Sequence, residues 1–379
     1  MSRRGRGEGG IYKRESDGRW VGVLDLGWID GKRRRRVVYG PTRAEVVEKL
    51  RTLANQQRRG VNLAAPTRTI STWLDEWLTQ IKAHDGTRPS TLARYEQVVE
   101  THLKPGIGRI RLDRLTPSDV QAFLARRRES VAAGTVGKIH AVLRAALSDA
   151  ERMDLVARNV AKSVRVPSGP VSERRVLTPD EAKQFLTLVA GDRFGAVFVI
   201  ALTLGLRRGE LLGLRWTDFD TEHSTLRVER AIQRSGGELR IVEPKTRRSR
   251  RLLPLPELAV TALEKRRVRQ ARERLRAGPA WQDHGFIFTT TIGTPLEPRN
   301  LNRRFDELRD EAGLPDLRLH DLRHACATFL LASGVEPRTV MEILGHSTYR
   351  LTMDLYGHAL PERMTAAAAV IDQLLIPGR

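Results

Sequence analysis

Three stretches of this 379-residue chain gather side chains that handle oxyanions and protons. The first is Gly205-Leu206-Arg207-Arg208-Gly209-Glu210-Leu211-Leu212-Gly213-Leu214-Arg215-Trp216. The second is Pro244-Lys245-Thr246-Arg247-Arg248-Ser249-Arg250-Arg251. The third runs His320-Asp321-Leu322-Arg323-His324, then Leu344-Gly345-His346, then Tyr356-Gly357-His358. Guanidinium forks grip phosphate oxygens and stay charged, imidazoles move protons, and a tyrosine hydroxyl can serve as a nucleophile. Taken singly each is weak, because an arginine in a basic chain is ordinarily a solvated charge and a lone histidine ordinarily structural. His320 and His324 have the spacing of a metal pair, but the zinc-protease glutamate between them and a third ligand are missing, so no metal is expected. No Gly-rich loop ends in Lys-Ser/Thr, so an ATP-driven motor is unsupported and no cofactor is expected.

The bulk charge points to a polyanion. Lys and Arg number 66 against 45 Asp and Glu, a net of +21, and each phosphate neutralised also releases a condensed counterion. A membrane surface or plain solubility is the blander explanation of such an excess. No stretch approaches the ~20 apolar residues of a membrane span, and Met1–Gly10 lacks the apolar segment of a secretory signal. A soluble intracellular protein is expected. The single cysteine, Cys326, excludes an intramolecular disulfide framework and reads as a small buried residue.

Elements able to position those residues follow from periodicity and turn chemistry. Gly10–Arg14, Arg19–Leu26 and Lys32–Tyr39 read as three strands, parted by Asp17-Gly18 and Asp30-Gly31, and Thr42 to Arg59 as a helix opened by Thr42 and Glu45. Residues 1–68 carry 17 Lys/Arg and 7 Asp/Glu. Arg33, Arg34 and Arg35 on the third strand could enter a DNA groove or form a basic edge that resists aggregation. From Thr69 to Arg158 the pattern is helical: Trp73, Leu74, Trp77, Leu78 and Ile81, then Leu92, Tyr95, Val98, Val99 and Leu103. Helices also open at Thr116-Pro117 and span Thr135–Met153; the aromatics read as core, and Arg126–Arg128 as phosphate contacts or a solvated face. Val164–Arg175 is the clearest linker. Beyond it, Thr178 caps a helix through Glu181, and strands are expected near Thr225–Arg230, Glu238–Val242, Arg251–Leu255 and Phe286–Phe288. Pro361–Leu375 reads as a helix with an apolar face.

Together the motifs resemble those of the tyrosine recombinases of the lambda-type phage integrase family, over about residues 172–360. Leu204 and Ala325 depart from the threonines common at those positions. The resemblance implies a multidomain chain: a small sheet-plus-helix arm-type DNA-binding domain over 1–65, an all-α SAM-like core-binding bundle over 66–165, and a mixed α+β, mainly helical catalytic domain over 166–379. It implies a site-specific DNA recombinase of a phage or mobile element, needing neither metal nor ATP. Tyr356 would attack a phosphodiester to give a 3′-phosphotyrosine and a free 5′-hydroxyl. Arg207 and Arg323 would bind the phosphate, His320 and His346 would add hydrogen bonds, and Lys245 would protonate the leaving oxygen. Glu210, placed on the helix of Arg207, would orient the basic cluster, and Tyr349 is a decoy.

The resemblance also implies partners. These are double-stranded attachment sites, three further copies in a homotetramer on DNA, and accessory proteins such as a host DNA-bending protein and an excisionase. The setting would be the bacterial cytoplasm and nucleoid, and the tail would pack on a neighbouring protomer. Two rivals stay open: a regulator that kept the scaffold without catalysis, and a type IB topoisomerase, which relaxes DNA without exchanging partners.

Overall fold

The computed structural model describes residues 10–29, 32–58, 68–167, 177–243 and 250–345. Lys245, His346, Tyr349, Tyr356 and the helix expected over 361–375 lie outside the described residues. The chain divides into two compact units, 1–172 and 173–379, so the boundary falls inside the stretch read as a linker.

The first unit opens with an antiparallel meander, β1 (Ile11–Lys13), β2 (Trp20–Ile29) and β3 (Lys32–Gly40), followed by α1 (Arg43–Arg58). Alternation turns Gly22 and Leu24 towards the helix, where Leu24 packs with Leu50 and Leu53. Gly22 is what lets the helix come so close: a Cβ there would lie 2.5 Å from Val46 Cγ1. Thr42 Oγ1 accepts from Glu45 N at 3.2 Å, which caps the helix as expected. Arg33, Arg34 and Arg35 of β3 are all exposed. Arg33 is engaged, its Nε 2.8 Å from Asp25 across the hairpin, a diagonal cross-strand pair.

Helices α2 (Ile70–Glu76), α3 (Pro89–Val98), α4 (Lys104–Ile107), α5 (Pro117–Arg128) and α6 (Ala133–Arg152) form the bundle. The expected helical runs are present, but the first two widen into π turns, at Trp77–Lys82 and Val99–Leu103. Trp73 and Trp77 are core residues, 1% and 0% exposed. Their indole N–H groups are satisfied by Ala146 O at 3.1 Å and Asp149 Oδ2 at 2.7 Å, as buried indoles require. The capping box of Thr116 and Asp119 starts α5, and Arg126–Arg128 occupy its last turn, where cations suit the helix dipole.

The second unit is built around α8 (Gly195–Leu204), which is apolar on nearly every side and buried accordingly. It follows α7 (Pro179–Val189), capped by Thr178 and Glu181, and precedes α9 (Arg208–Gly213). Phe185, Phe198 and Phe305 meet edge-on or tilted with centroids 5.6–5.8 Å apart. Strands β4 (Phe219–Asp220), β5 (Thr225–Val228), β6 (Ala231–Ser235), β7 (Glu238–Val242) and β8 (Arg251–Pro254) form a three-stranded sheet, β4-β5-β8, and a β6-β7 hairpin. Helices α10 (Glu257–Ala277), α11 (Pro298–Glu311), α12 (Leu319–Ala332) and α13 (Pro337–Leu344) complete it.

The strand expected at Phe286–Phe288 is not one. Only isolated bridges flank it, Arg215 with Phe286 and Thr289 with Pro295. Its carbonyls are taken by side chains of α10 instead: Gln270 Nε2 donates to Phe286 O at 2.9 Å and Arg266 Nε to Ile287 O at 2.9 Å. Apolarity buried this segment, and side-chain donors replaced the ladder. The strands β4 and β6 had no expectation: β4 is only two residues long, and in β6 (AIQRS) apolar and polar residues fall in blocks rather than alternating.

Candidate active site

Both arginine motifs begin helices, and each uses an acid at the third helical position as its cap. Glu210 Oε2 accepts from the backbone N–H of Arg207 at 3.0 Å. Asp321 Oδ2 accepts from that of Arg318 at 2.8 Å. Arg207 therefore stands just before α9, in extended backbone, rather than on the same helix as Glu210 as expected. Its guanidinium reaches back to Glu210 Oε1 at 2.8 Å. The pairing that was expected along a helix face is made across a helix start instead.

Arg207 and Arg323, 116 positions apart in the sequence, are brought to one place by the end of α13. The last carbonyls of a helix have no intrahelical partner. Here Arg323 NH2 donates to Leu344 O at 2.8 Å and Arg207 NH2 to Gly345 O at 2.9 Å. Arg323 NH1 also donates to Gly205 O, the end of α8, at 2.6 Å. Gly205 sits there in left-handed backbone, φ +59°, and a Cβ would meet Leu344 Cδ2 at 2.3 Å. Glycine is thus required twice over, by conformation and by packing. The ends of two helices and both arginines share one junction. A guanidinium carries five N–H groups, and these bonds occupy two on each arginine.

The two arginines differ in access. The Arg207 side chain is 39% exposed, whereas Arg323 is 3% exposed. Burial, with Arg207 nearby, pushes Arg323 down to about 9, which still leaves it charged at neutral pH. Glu210 is buried. Burial alone would push its carboxyl up, but Arg251 and Arg207 outweigh that and hold it below the usual carboxylate range.

His320 is exposed at its edge and lies at the second position of α12. Its ring meets that of His324 edge-on, centroids 4.9 Å apart. The protein packed around it, then His324 and Arg323, lower its pKa to about 4, so the ring is neutral at pH 7 and able to accept a proton. A cleft of about 340 Å³ opens here, bordered by Arg208, Asn302, Arg318 and His320. Cys326 is buried as expected, and burial pushes its thiol up to about 12.

One member of the cluster was missed. Arg251, whose side chain is 7% exposed, lies 3.2 Å from Glu210 Oε2 and donates through Nε to Ile343 O at 2.7 Å. Strand alternation could have found it, because residues two apart share a face. Arg251 lies with buried Leu253 on the inner side of β8, while Leu252 is 57% exposed. An arginine inward and a leucine outward is the signal.

Comparison with known proteins adds the lineage of this arrangement. The model of the phage integrase family matches residues 175–363, and that of the phage integrase N-terminal SAM-like domain matches residues 69–126. An integrase of Streptomyces ambofaciens is 30% identical over 390 residues, covering 99% of this chain and 98% of the relative. The integrase of Mycobacterium phage L5 is 31% identical over 337 residues, covering 86% of this chain and 84% of the relative. Among solved structures, the Tn1549 transposon integrase with a circular intermediate DNA has a TM-score of 0.69 at 22% identity, covering 81% of this chain and 99% of that one. A lambda integrase tetramer bound to a Holliday junction has a TM-score of 0.58 at 18% identity, covering 93% and 96%.

Proposed function

This chain belongs to the phage integrase family, the tyrosine site-specific recombinases, and on that premise we propose how its residues divide the work. Tyr356 attacks a phosphodiester phosphorus, loses its proton, and forms a 3′-phosphotyrosine bond as the 5′-oxygen departs. Lys245 protonates that oxygen. Arg207 and Arg323 stabilise the charge on the non-bridging oxygens, with His320 and His346 as further hydrogen-bond donors and His320 as a proton acceptor at other stages. The covalent link conserves the phosphodiester, so a second strand's 5′-hydroxyl can reverse the step at a new junction. The observation that carries this reading is the junction where Arg207 and Arg323 are fixed on neighbouring carbonyls, Gly345 and Leu344. Such rigid donors stabilise developing charge without reorganising.

The substrate we assign is double-stranded DNA bearing attachment sites, acted on by a homotetramer, since DNA complexes and a tetramer are known among structures of this fold. We divide the chain functionally into an arm-type DNA-binding domain over 1–65, a core-binding domain over 66–165 and a catalytic domain over 166–379. Arg33, Arg34 and Arg35 serve the first, and Arg126 and Arg127 the second, as phosphate contacts. A host DNA-bending protein and an excisionase would set direction, in the bacterial cytoplasm at the nucleoid. Among the described residues no helix is long and apolar enough to cross a membrane.

The test uses nicked duplexes carrying candidate sites, with wild type and Tyr356→Phe side by side. A covalent adduct in the wild type only, with DNA binding kept in both, is the expected result. Equal adduct in both overturns the choice of nucleophile. Adduct in neither favours a binding-only protein.

A further inference from the structure

Arg251 takes no part in the chemistry assigned to Tyr356 and its partners, yet it is among the most firmly held charges in the second unit. Its side chain is 7% exposed. An arginine is that deeply buried only where its charge is matched and its donors are used. Both conditions are met, by Glu210, which also pairs with Arg207, and by the helix end that also holds Arg207 and Arg323.

The geometry is a set of three. Arg251 Nε donates to Ile343 O at 2.7 Å, Arg323 NH2 to Leu344 O at 2.8 Å, and Arg207 NH2 to Gly345 O at 2.9 Å. Three consecutive carbonyls at the end of α13 thus take three different arginines. A helix C-terminus is the negative end of its dipole, so three cations there are favourable despite their mutual repulsion. The repulsion is offset by one buried acid. Glu210 gives Oε1 to Arg207 NH1 at 2.8 Å and Oε2 both to Arg207 N at 3.0 Å and to Arg251 NH2 at 3.2 Å.

Each of these bonds ties a different element to the junction. Arg251 opens β8, Glu210 lies in α9, and Ile343 lies in the last turn of α13. Arg251 is the side chain that bonds to both the acid holding Arg207 and the helix end holding Arg207 and Arg323. Without it, Glu210 loses one of its two cations, and the end of α13 loses one of three caps.

We infer that Arg251 is a positioning residue for strand cleavage. It holds Glu210 and the end of α13 in the register that aims the Arg207 and Arg323 forks at one phosphate. It touches neither substrate nor phosphate itself. The inference rests on the strand-transfer chemistry proposed for this site and deepens it.

Two substitutions separate positioning from mere folding. Arg251→Met keeps an unbranched stem like the aliphatic part of arginine and removes charge and donors. Arg251→Lys keeps the charge but cannot span both Ile343 O and Glu210 with a rigid fork. Single-turnover adduct formation on the nicked duplex is measured at saturating DNA, beside DNA affinity. A fork displaced by about 1 Å costs on the order of 10²-fold in rate. The expected result is adduct formation slowed ~10²-fold in Arg251→Met and ~10-fold in Arg251→Lys, with DNA affinity within about twofold of wild type. Amide hydrogen exchange of residues 340–345 in the full chain is the second readout, and it should speed up in both variants as the helix end loses a cap.

Adduct formation at the wild-type rate in either variant overturns the inference, as does a loss of DNA affinity that accounts for the whole rate effect. If Arg251→Met fails to fold, Arg251→Lys decides by the same two measurements. A wild-type chain that forms no adduct removes the strand-transfer reading instead. The exchange experiment then decides by itself, and unchanged exchange at 340–345 overturns the placement of Arg251.

Discussion

Arginine is held in two different ways in this chain, and β3 and the α13 junction show the contrast. On β3, Arg33, Arg34 and Arg35 stand in the open, and Arg33 is matched by Asp25 on the neighbouring strand. At the junction, Arg251 and Arg323 are nearly sealed from solvent, and their hydrogen bonds run to Ile343 O, Glu210, Gly205 O and Leu344 O. Exposed guanidiniums are adaptable and screened by salt, which suits contact with a phosphate backbone. Buried ones are held rigidly and feel little screening, which suits a charge that develops at one atom. Charge count does not separate the two; surroundings do.

The largest effect expected from that contrast is at Arg323. Arg323→Ala should slow adduct formation ~10³-fold, as loss of a preorganised donor does, and leave Gly205 O and Leu344 O without their donor. A stability loss on the order of 3 kcal/mol should accompany it, read by denaturant unfolding. A variant that cleaves within tenfold of wild type would break the distinction between rigid and adaptable arginines.

Next is Gly205→Ala. Left-handed backbone and the clash with Leu344 together should cost about 2–3 kcal/mol of stability, measured the same way. An unchanged midpoint would mean that the α8 and α13 ends are not locked together as described.

The exposed set should behave oppositely. Replacing Arg33, Arg34 and Arg35 together by Gln should weaken binding to arm-type DNA and flatten its salt dependence, by up to ~0.9 in log–log slope for each phosphate no longer neutralised. Adduct formation at saturating DNA should not change. A slower covalent step in this variant would erase the contrast from the other side.

The smallest effect concerns His320. Its pKa near 4 lies below the ~6.5 of free imidazole, so between those values the unfolded chain binds the extra proton. The ring's contribution is present above about pH 6.5 and is lost as pH falls towards 4. His320→Gln should therefore lose less stability than wild type between pH 7 and pH 5. Parallel losses would show that the ring is not held neutral by its surroundings.

Much of this was legible in the residues. Capping boxes at Thr116 and Thr178 announced α5 and α7, because their chemistry is local: a hydroxyl and an acid three residues on. The bundle core followed from helical spacing, and Trp73 and Trp77 lie where it put them. Strand alternation placed β7 to the residue. Phe286–Phe288 was misread for an equally physical reason. An apolar run states that it is buried, not whether a ladder or side chains such as Arg266 and Gln270 satisfy its backbone.

The sequence by itself determined the family and the order of its motifs, because motif chemistry depends on residue types at short spacing. It also determined the helix starts at Thr116 and Thr178, whereas it put Arg207 on the helix of Glu210, and the structure sets Arg207 just before that helix. Only the tertiary structure decided how each arginine is held. Arg207, Arg251 and Arg323 are indistinguishable as residue types. What separates them is which of three successive carbonyls each one reaches, how much water remains around it, and that one buried glutamate serves two of them. Apart from the Arg207–Glu210 pair, those contacts join positions 21 to 138 residues apart, and no local pattern encodes them.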